Sequence, residues 1–420
     1  MWGVKLPAGT PIVTAVFGIQ HDPSRDNSGL INIFDSLIVN QPARIENLEQ
    51  DNPVPTRVWL TYWPSTAAYQ KWWTSEPVAS FWGSLPDDAG VYRDILTVPP
   101  GKTQHGTSIT DRPSGMAPLG KFESILDKSG YWGCYYDRMS EVNKRESKLP
   151  TPVTKKPTRT HPLSITPSSS NSSNLPIRRG RIQLPTLPDN IAFVVEGQDH
   201  GLILPEEKEH WLENFDQLTT NWICDLVEAG PEKGILDSRL CYRPDSGTYK
   251  DADPQPRELS FNDKVQLFYF LDMEAMQKFG RENAGHVKLR REFAQSYGPK
   301  GVMTELPGQL RLWVETSILK GKDMQLPDTN PRSVVVTSAR DETRFYPSIH
   351  GSNLVYQTEH TSKEAVEAFG NAAKKATKSS LTFLKDVGKD IFKLAANRPR
   401  PSDDTEDDSA SNNNNTSKNA

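Results

Sequence analysis

One pattern in this chain occurs twice, and it limits the fold more than anything else in the sequence. Trp59-Leu60-Thr61-Tyr62-Trp63-Pro64-Ser65-Thr66-Ala67-Ala68-Tyr69-Gln70-Lys71-Trp72 is matched by Gln266-Leu267-Phe268-Tyr269-Phe270-Leu271-Asp272-Met273-Glu274-Ala275-Met276-Gln277-Lys278-Phe279. Each copy alternates as a strand does, breaks at a capping residue, and continues at helical spacing into Gln-Lys-aromatic. Two further correspondences extend the match. Phe17-Gly18-Ile19-Gln20-His21-Asp22 resembles Val195-Glu196-Gly197-Gln198-Asp199, and Val91–Thr97 holds the place that Leu310–Ile318 has later. The chain therefore reads as two copies of a ferredoxin-like α+β unit. Two such sheets commonly close into one α+β barrel that buries faces neither could bury alone. A ligand would sit between a sheet and its covering helices.

The second copy is clearest over Val265–Leu319: a strand (Val265–Leu271), an amphipathic helix from Glu274 to about Ala294, and a strand (Gln309–Leu319). The first copy offers strands at Ile12–Gln20, Arg57–Tyr62 and Val91–Val98, with helical patterns around Leu30–Leu37, Ala67–Trp73 and Pro77–Trp82. Asn190–Asp199 reads as another strand and Pro205–Leu218 as a helix. Residues 1–147 then form the first half and 182–328 the second. Between them, residues 148–181 are Pro, Ser, Thr and basic types that cannot offset their ordering entropy by burial, and read as a flexible insertion. An irregular extension covers 329–361. Residues 362–397 have the spacing of a Lys-rich amphipathic helix suited to docking on a protein or a membrane surface, and 398–420 form an acidic, Asn-rich tail expected to be disordered.

Composition excludes several classes. A formal charge of −4 gives no global excess of cations for nucleic acid. No apolar run has the length of a signal peptide or a membrane span, which points to a soluble, cytoplasmic protein. Cys134, Cys224 and Cys241 lack zinc spacing and read as buried thiols. The eight histidines show neither His-x-x-x-His nor facial-triad spacing, so zinc and non-haem iron sets are absent. Gly-x-Ser-x-Gly, a P-loop and a dinucleotide fingerprint are absent too. Continuing the repeat without gaps sets Ala79 against His286, so a histidine stands in one copy only. Haem needs one protein ligand and stays compatible with that arrangement; a surface histidine does as well.

Gly130-Tyr131-Trp132-Gly133 with Asp137-Arg138, the Gly197-Gln198-Asp199 turn, Phe268-Tyr269-Phe270 with its helix to His286, and Leu310-Arg311-Leu312-Trp313-Val314-Glu315 follow one another in a telling order. That order resembles the haem-containing aldoxime dehydratases, the phenylacetaldoxime dehydratase family, over roughly residues 10–325. The resemblance implies a b-type haem, ferrous when active, with His286 as proximal iron ligand. It implies an aldoxime bound through nitrogen, dehydrated to a nitrile and water with the help of a distal histidine, a serine and an arginine. Arg138 matches the arginine, although a shift of two residues puts Tyr136 there. Trp313-Val314-Glu315 stands where the family has aromatic-His-Glu, and valine cannot donate a proton. Gly201 stands at the serine, and His200 at the aromatic residue before it. Haem binding is thus expected to be kept, with Gly201, Trp313 and Val314 on the distal side; His200 is either the residue that supplies the lost acid or an ordinary polar loop residue. Glu315 is a weaker candidate, because its side chain points away from the Val314 face. A changed N–O or N–N substrate stays open, as do a haem enzyme of another class and a haem-binding or sensor protein without dehydratase activity. A homodimer is compatible with this barrel type.

Overall fold

The computed structural model describes residues 1–324 except 22–25, 52–54, 87–88, 143–148, 154–186, 252–255, 299 and 305–307. The extension, the C-terminal amphipathic pattern, the acidic tail and most of the Pro/Ser/Thr insertion lie outside the described residues.

The first half contains β1 (Trp2–Lys5), β2 (Ile12–Gln20), α1 (Ser28–Ile38), β3 (Arg44–Gln50), β4 (Thr56–Trp63), α2 (Thr66–Trp73), α3 (Glu76–Ser84) and β5 (Val91–Val98). A connecting stretch carries β6 (Thr103–Thr107), β7 (Lys121–Ser124) and the short α4 (Cys134–Arg138). The second half contains β8 (Ile191–Asp199), α5 (Pro205–Asn214), α6 (Asp216–Glu228), β9 (Ile235–Tyr242), β10 (Asp263–Phe270), α7 (Met273–Glu282), α8 (Ala284–Tyr297) and β11 (Arg311–Leu319). All eleven strands share one sheet in the order β5-β2-β4-β3-β9-β10-β8-β11-β6-β1-β7. Every paired strand is antiparallel. The fold is mixed α+β around a large antiparallel sheet.

The strand order runs β5-β2-β4-β3 in one half and β9-β10-β8-β11 in the other, the same arrangement read in opposite directions. β4 and β10 lie 207 positions apart at both ends (Thr56 to Asp263, Trp63 to Phe270). Their helices start on equivalent caps: Ser65 Oγ accepts the N–H of Ala68, and Asp272 Oδ1 that of Ala275. Register repeats as well. Phe17 pairs with Trp59 as Glu196 pairs with Gln266, and Gly18 pairs with Tyr92 as Gly197 pairs with Trp313. In both glycine pairs the ring of the partner lies where a Cβ would be, so the small residue is a packing requirement.

One face of each half turns inward. Val16, Tyr62 and Tyr92 share a core with Val195, Tyr269 and Trp313. Tyr62 donates to Glu315 at 2.8 Å and Arg239 to Asp94 at 2.9 Å, each bond linking one half to the other. The opposite faces carry the helices. On the first half Phe17, Phe34, Trp72 and Trp82 fill that layer; on the second, Val194, Phe268, Phe270 and Leu226 form its floor.

The structure departs from the sequence reading in several places. The helix expected from Glu274 to Ala294 is two helices, because Asn283 takes extended angles and caps α8 by accepting the His286 N–H at 2.8 Å. The α7 caps at Asp272 and Asn283 are one residue further apart than Ser65 and Ser75, so counting from the caps sets Val78, not Ala79, opposite His286. The Pro205–Leu218 pattern breaks at Phe215 and runs on to Glu228. Strands β3 and β9 went unread because polar residues occupy buried positions in them. Glu46 is satisfied by Arg44 and Arg243, and Arg239 by Asp94 and Asp237. Among the described residues no helix is long and apolar enough to cross a membrane.

Candidate functional site

The layer that aromatic rings fill in the first half is hollow in the second. Phe17 sits 5.2 Å from Phe34 and 5.7 Å from Trp72, ring centre to ring centre. Its counterpart by register is Glu196, and there a cavity of about 610 Å³ opens between the sheet and the helices. β8 and β11 form one wall; α6, α7, α8 and the loop before α4 form the other. The size lies within the roughly 300–1,000 Å³ usual for small-molecule and cofactor sites.

His286 stands on the helical wall. Its ring stacks on Trp222 with centroids 3.9 Å apart, and Trp132 meets it edge-on at 5.8 Å. His286 Nδ1 lies 2.9 Å from the Gly280 carbonyl oxygen, which can only accept, so Nδ1 carries the proton and Nε2 keeps its lone pair. Burial lowers the imidazole pKa to about 4, aided by the Arg290 charge. The ring is therefore neutral, as a metal ligand must be. Gly280 permits this approach, because a Cβ there would lie 3.0 Å from the imidazole. Asn283 fixes the start of α8: its Oδ1 holds the His286 N–H, and its amide donates to Asp225 at 2.6 Å.

The Gly130–Gly133 loop closes one side. Gly130 and Gly133 have φ of 86° and 87°, a left-handed conformation that L side chains disfavour, and the turn carries Trp132 to His286. The Arg290 guanidinium lies over that indole ring at 4.1 Å, and both Arg290 and Arg291 line the cavity. Arg138 lines it too, with its guanidinium held by Lys128 O (2.8 Å), Gln104 Oε1 (2.9 Å) and Ser129 Oγ (3.0 Å).

On the sheet wall, register sets Gln266, Glu196, Val314 and Gly106 side by side across β10, β8, β11 and β6. Arg138 lies over Gly106: a Cβ there would sit 3.0 Å from its Nη1 and 3.7 Å from Val314 Cγ1. Glu196 and Arg138 thus flank the valine. Burial alone raises the Glu196 carboxyl to about 7.

The structure gathers His286, Arg138 and Val314 around one cavity. Trp313 contributes to the wall from its strand, but it belongs to the inward core, where its ring stacks 6.4 Å from His105. Glu315 also points inward, bonded to Tyr62 and to the Met116 N–H. His200 and Gly201 are not brought to the cavity. β8 ends at Asp199, the His200 N–H donates to Asn262 O, and its ring is packed 4.1 Å from Tyr249 and 5.1 Å from Trp211. Burial, with the Lys264 charge second, holds His200 far below its usual pKa and so disfavours the imidazolium form that a general acid needs. Gly201 is an exposed turn residue. The sequence reading missed Trp222 and Glu196. A glutamate directly after the apolar run Ile191–Val195 and still within the strand is the one trace of the second in the sequence, and it says nothing of the cavity without the register.

A family model described as haem-containing dehydratase matches residues 15–327. An aliphatic aldoxime dehydratase of Rhodococcus globerulus is 23% identical over 274 residues, 62% of this chain and 66% of that protein. The chain thus spans just under two thirds of that relative's length. Phenylacetaldoxime dehydratase of Bacillus sp. (strain OxB-1) is 23% identical over 283 residues, 64% of this chain and 69% of its own. Among solved structures, an aldoxime dehydratase in complex with butyraldoxime aligns with a TM-score of 0.57 at 16% identity, covering 80% of this chain and 89% of that one. A second aldoxime dehydratase structure aligns at 0.55 and 17% identity.

Proposed function

Because the chain belongs to the haem-containing dehydratase family, we propose that it is a haem-dependent lyase that dehydrates an aldoxime, R-CH=N-OH, to a nitrile. The observation that carries this is His286, neutral, oriented through Nδ1 and set on the wall of a cavity of cofactor size. The cavity suits a haem: aromatic rings line it, one imidazole nitrogen is left over, and Arg290 and Arg291 offer cations to carboxylate side chains. The match of strand order and register between the halves supports reading them as ferredoxin-like repeats, with the haem in the second.

In this reading His286 would hold the iron through Nε2, and the Gly280 carbonyl would keep its tautomer fixed and its basicity high. The chemistry a ferrous haem would supply is electron donation that weakens the N–O bond of a nitrogen-bound aldoxime. Arg138, pinned by three acceptors, keeps a positive charge beside the sheet wall where oxygen leaves with the bonding electrons. Val314, Phe270 and Leu226 exclude water from that space, which strengthens each remaining polar contact. A second reading, a haem-binding or sensor protein, draws on Val314, since an isopropyl group moves no proton.

The test is the spectrum of the ferrous protein with and without an aldoxime, together with nitrile formation from aryl and alkyl aldoximes under anaerobic, reducing conditions. A Soret band lost in His286→Ala, an aldoxime-induced shift and nitrile product are expected. A protein that cannot be reconstituted with haemin overturns every haem reading. Haem binding without turnover across a broad panel of aldoximes favours the sensor.

A further inference from the structure

Loss of water from an aldoxime expels hydroxide unless an acid protonates the departing oxygen, and at neutral pH such an acid is typically worth roughly 10²–10⁴-fold. Val314 cannot serve, and His200 lies outside the cavity. Among the described residues lining the cavity, one carboxyl group is present, that of Glu196.

We propose that Glu196 is the proton donor to the leaving hydroxyl, acting from the strand next to Val314. This rests on the dehydratase reading above. Three observations support it. Glu196 pairs directly with Val314 on β11, on the face turned to the helices, so its carboxyl reaches the space in front of the valine. It is half-buried at the cavity wall and forms no hydrogen bond or ion pair with another described residue. Its other neighbour in register, Gln266, is fully buried with both amide atoms unpartnered, which leaves a donor and an acceptor beside the carboxyl. The titratable and charged groups that share the cavity are the Met1 amino group, Tyr131, Cys134, Tyr135 and Arg138 near α4, and His286, Arg290 and Arg291 on α8. Burial holds the Glu196 carboxyl at about 7, where acid and base forms coexist near neutrality.

The step balances. As the N–O bond breaks, oxygen leaves with the bonding pair and takes the Glu196 proton, forming water. The electron pair of the aldehydic C–H bond becomes the third carbon–nitrogen bond, and that proton passes to the Glu196 carboxylate, restoring the acid. No net oxidant or reductant is consumed. In the first half the same sheet position is Phe17, deep in an aromatic core. The duplicated scaffold thus carries a proton-transfer group in the half that is hollow.

The experiment compares wild type, Glu196→Gln and Glu196→Asp as reconstituted ferrous protein and as apoprotein. Expected in Glu196→Gln is a loss of roughly 10²–10⁴-fold in nitrile formation, with Soret band and aldoxime-induced shift retained; Glu196→Asp recovers part of the rate. In the apoprotein, difference infrared should show a protonated carboxyl band at pH 6 that fades by pH 9 and is missing in Glu196→Gln. Wild-type turnover with an equally fast Glu196→Gln overturns the assignment, as does a carboxyl already ionised at pH 6. A haem-loaded wild type that forms no nitrile overturns the dehydratase reading beneath it.

Discussion

Replacing Glu315 by glutamine should make the protein more resistant to alkaline conditions. Glu315 is 2% exposed, with Oε1 2.6 Å from the Met116 N–H and Oε2 2.8 Å from the Tyr62 hydroxyl. Burial raises its pKa from 4.5 to about 8, Glu46 adds a like charge, and the two hydrogen bonds only partly oppose this. Between about 4.5 and about 8 the folded chain holds a proton that the unfolded chain has released, so stability falls as pH rises through that window. At about 1.4 kcal/mol per pH unit, the loss has a ceiling of about 5 kcal/mol. Glutamine imitates the protonated acid: its oxygen can accept from Met116 and its amide can donate to the Tyr62 oxygen. It does not titrate. Urea denaturation followed by tryptophan fluorescence at pH 5, 7 and 9 should show the stability of Glu315→Gln, relative to wild type, rising by several kcal/mol across the range. Parallel curves would mean that Glu315 is ionised in the folded chain and would refute the burial argument.

Gly197→Ala should destabilise by about 1–3 kcal/mol, because the added methyl group runs into the Trp313 indole, whereas Gly201→Ala meets only Asp199 Oδ1 at 3.1 Å and should change little. Thermal midpoints of the two variants test that contrast. Asn283→Ala removes the α8 cap and the bond to Asp225; a cost of about 1 kcal/mol is expected, together with faster haem loss to an acceptor protein. The His286 and Glu196 substitutions described above complete the set.

The duplication was legible because it is written in local chemistry. A hydroxyl or carboxylate cap after an alternating run survives at Ser65 and Asp272, and helical spacing follows both. Strands β3 and β9 were not legible, since Glu46 and Arg239 look like surface residues until Arg243 and Asp94, from distant parts of the chain, join the local Arg44 and Asp237. The same long-range logic governs the site. His286 could be singled out as a histidine in one copy only. His200 could not be dismissed, because the rings that enclose it, Tyr249 and Trp211, come from other elements. Glu196 became informative only when register set it beside Val314.

The contrast between filled and hollow halves also bears on local unfolding. α3 buries Val78, Phe81 and Trp82 against a complete aromatic layer, while α8, its counterpart, has no fully buried residue. The helix bearing His286 is therefore among the segments that open at least cost, without melting the first half. A cofactor seated there would act as the missing piece of core, stabilising the helix by mass action as its free concentration exceeds its dissociation constant. Entry into the pocket and order of the helix then become two readings of one equilibrium, and amide exchange along α8 would report on occupancy of the cavity.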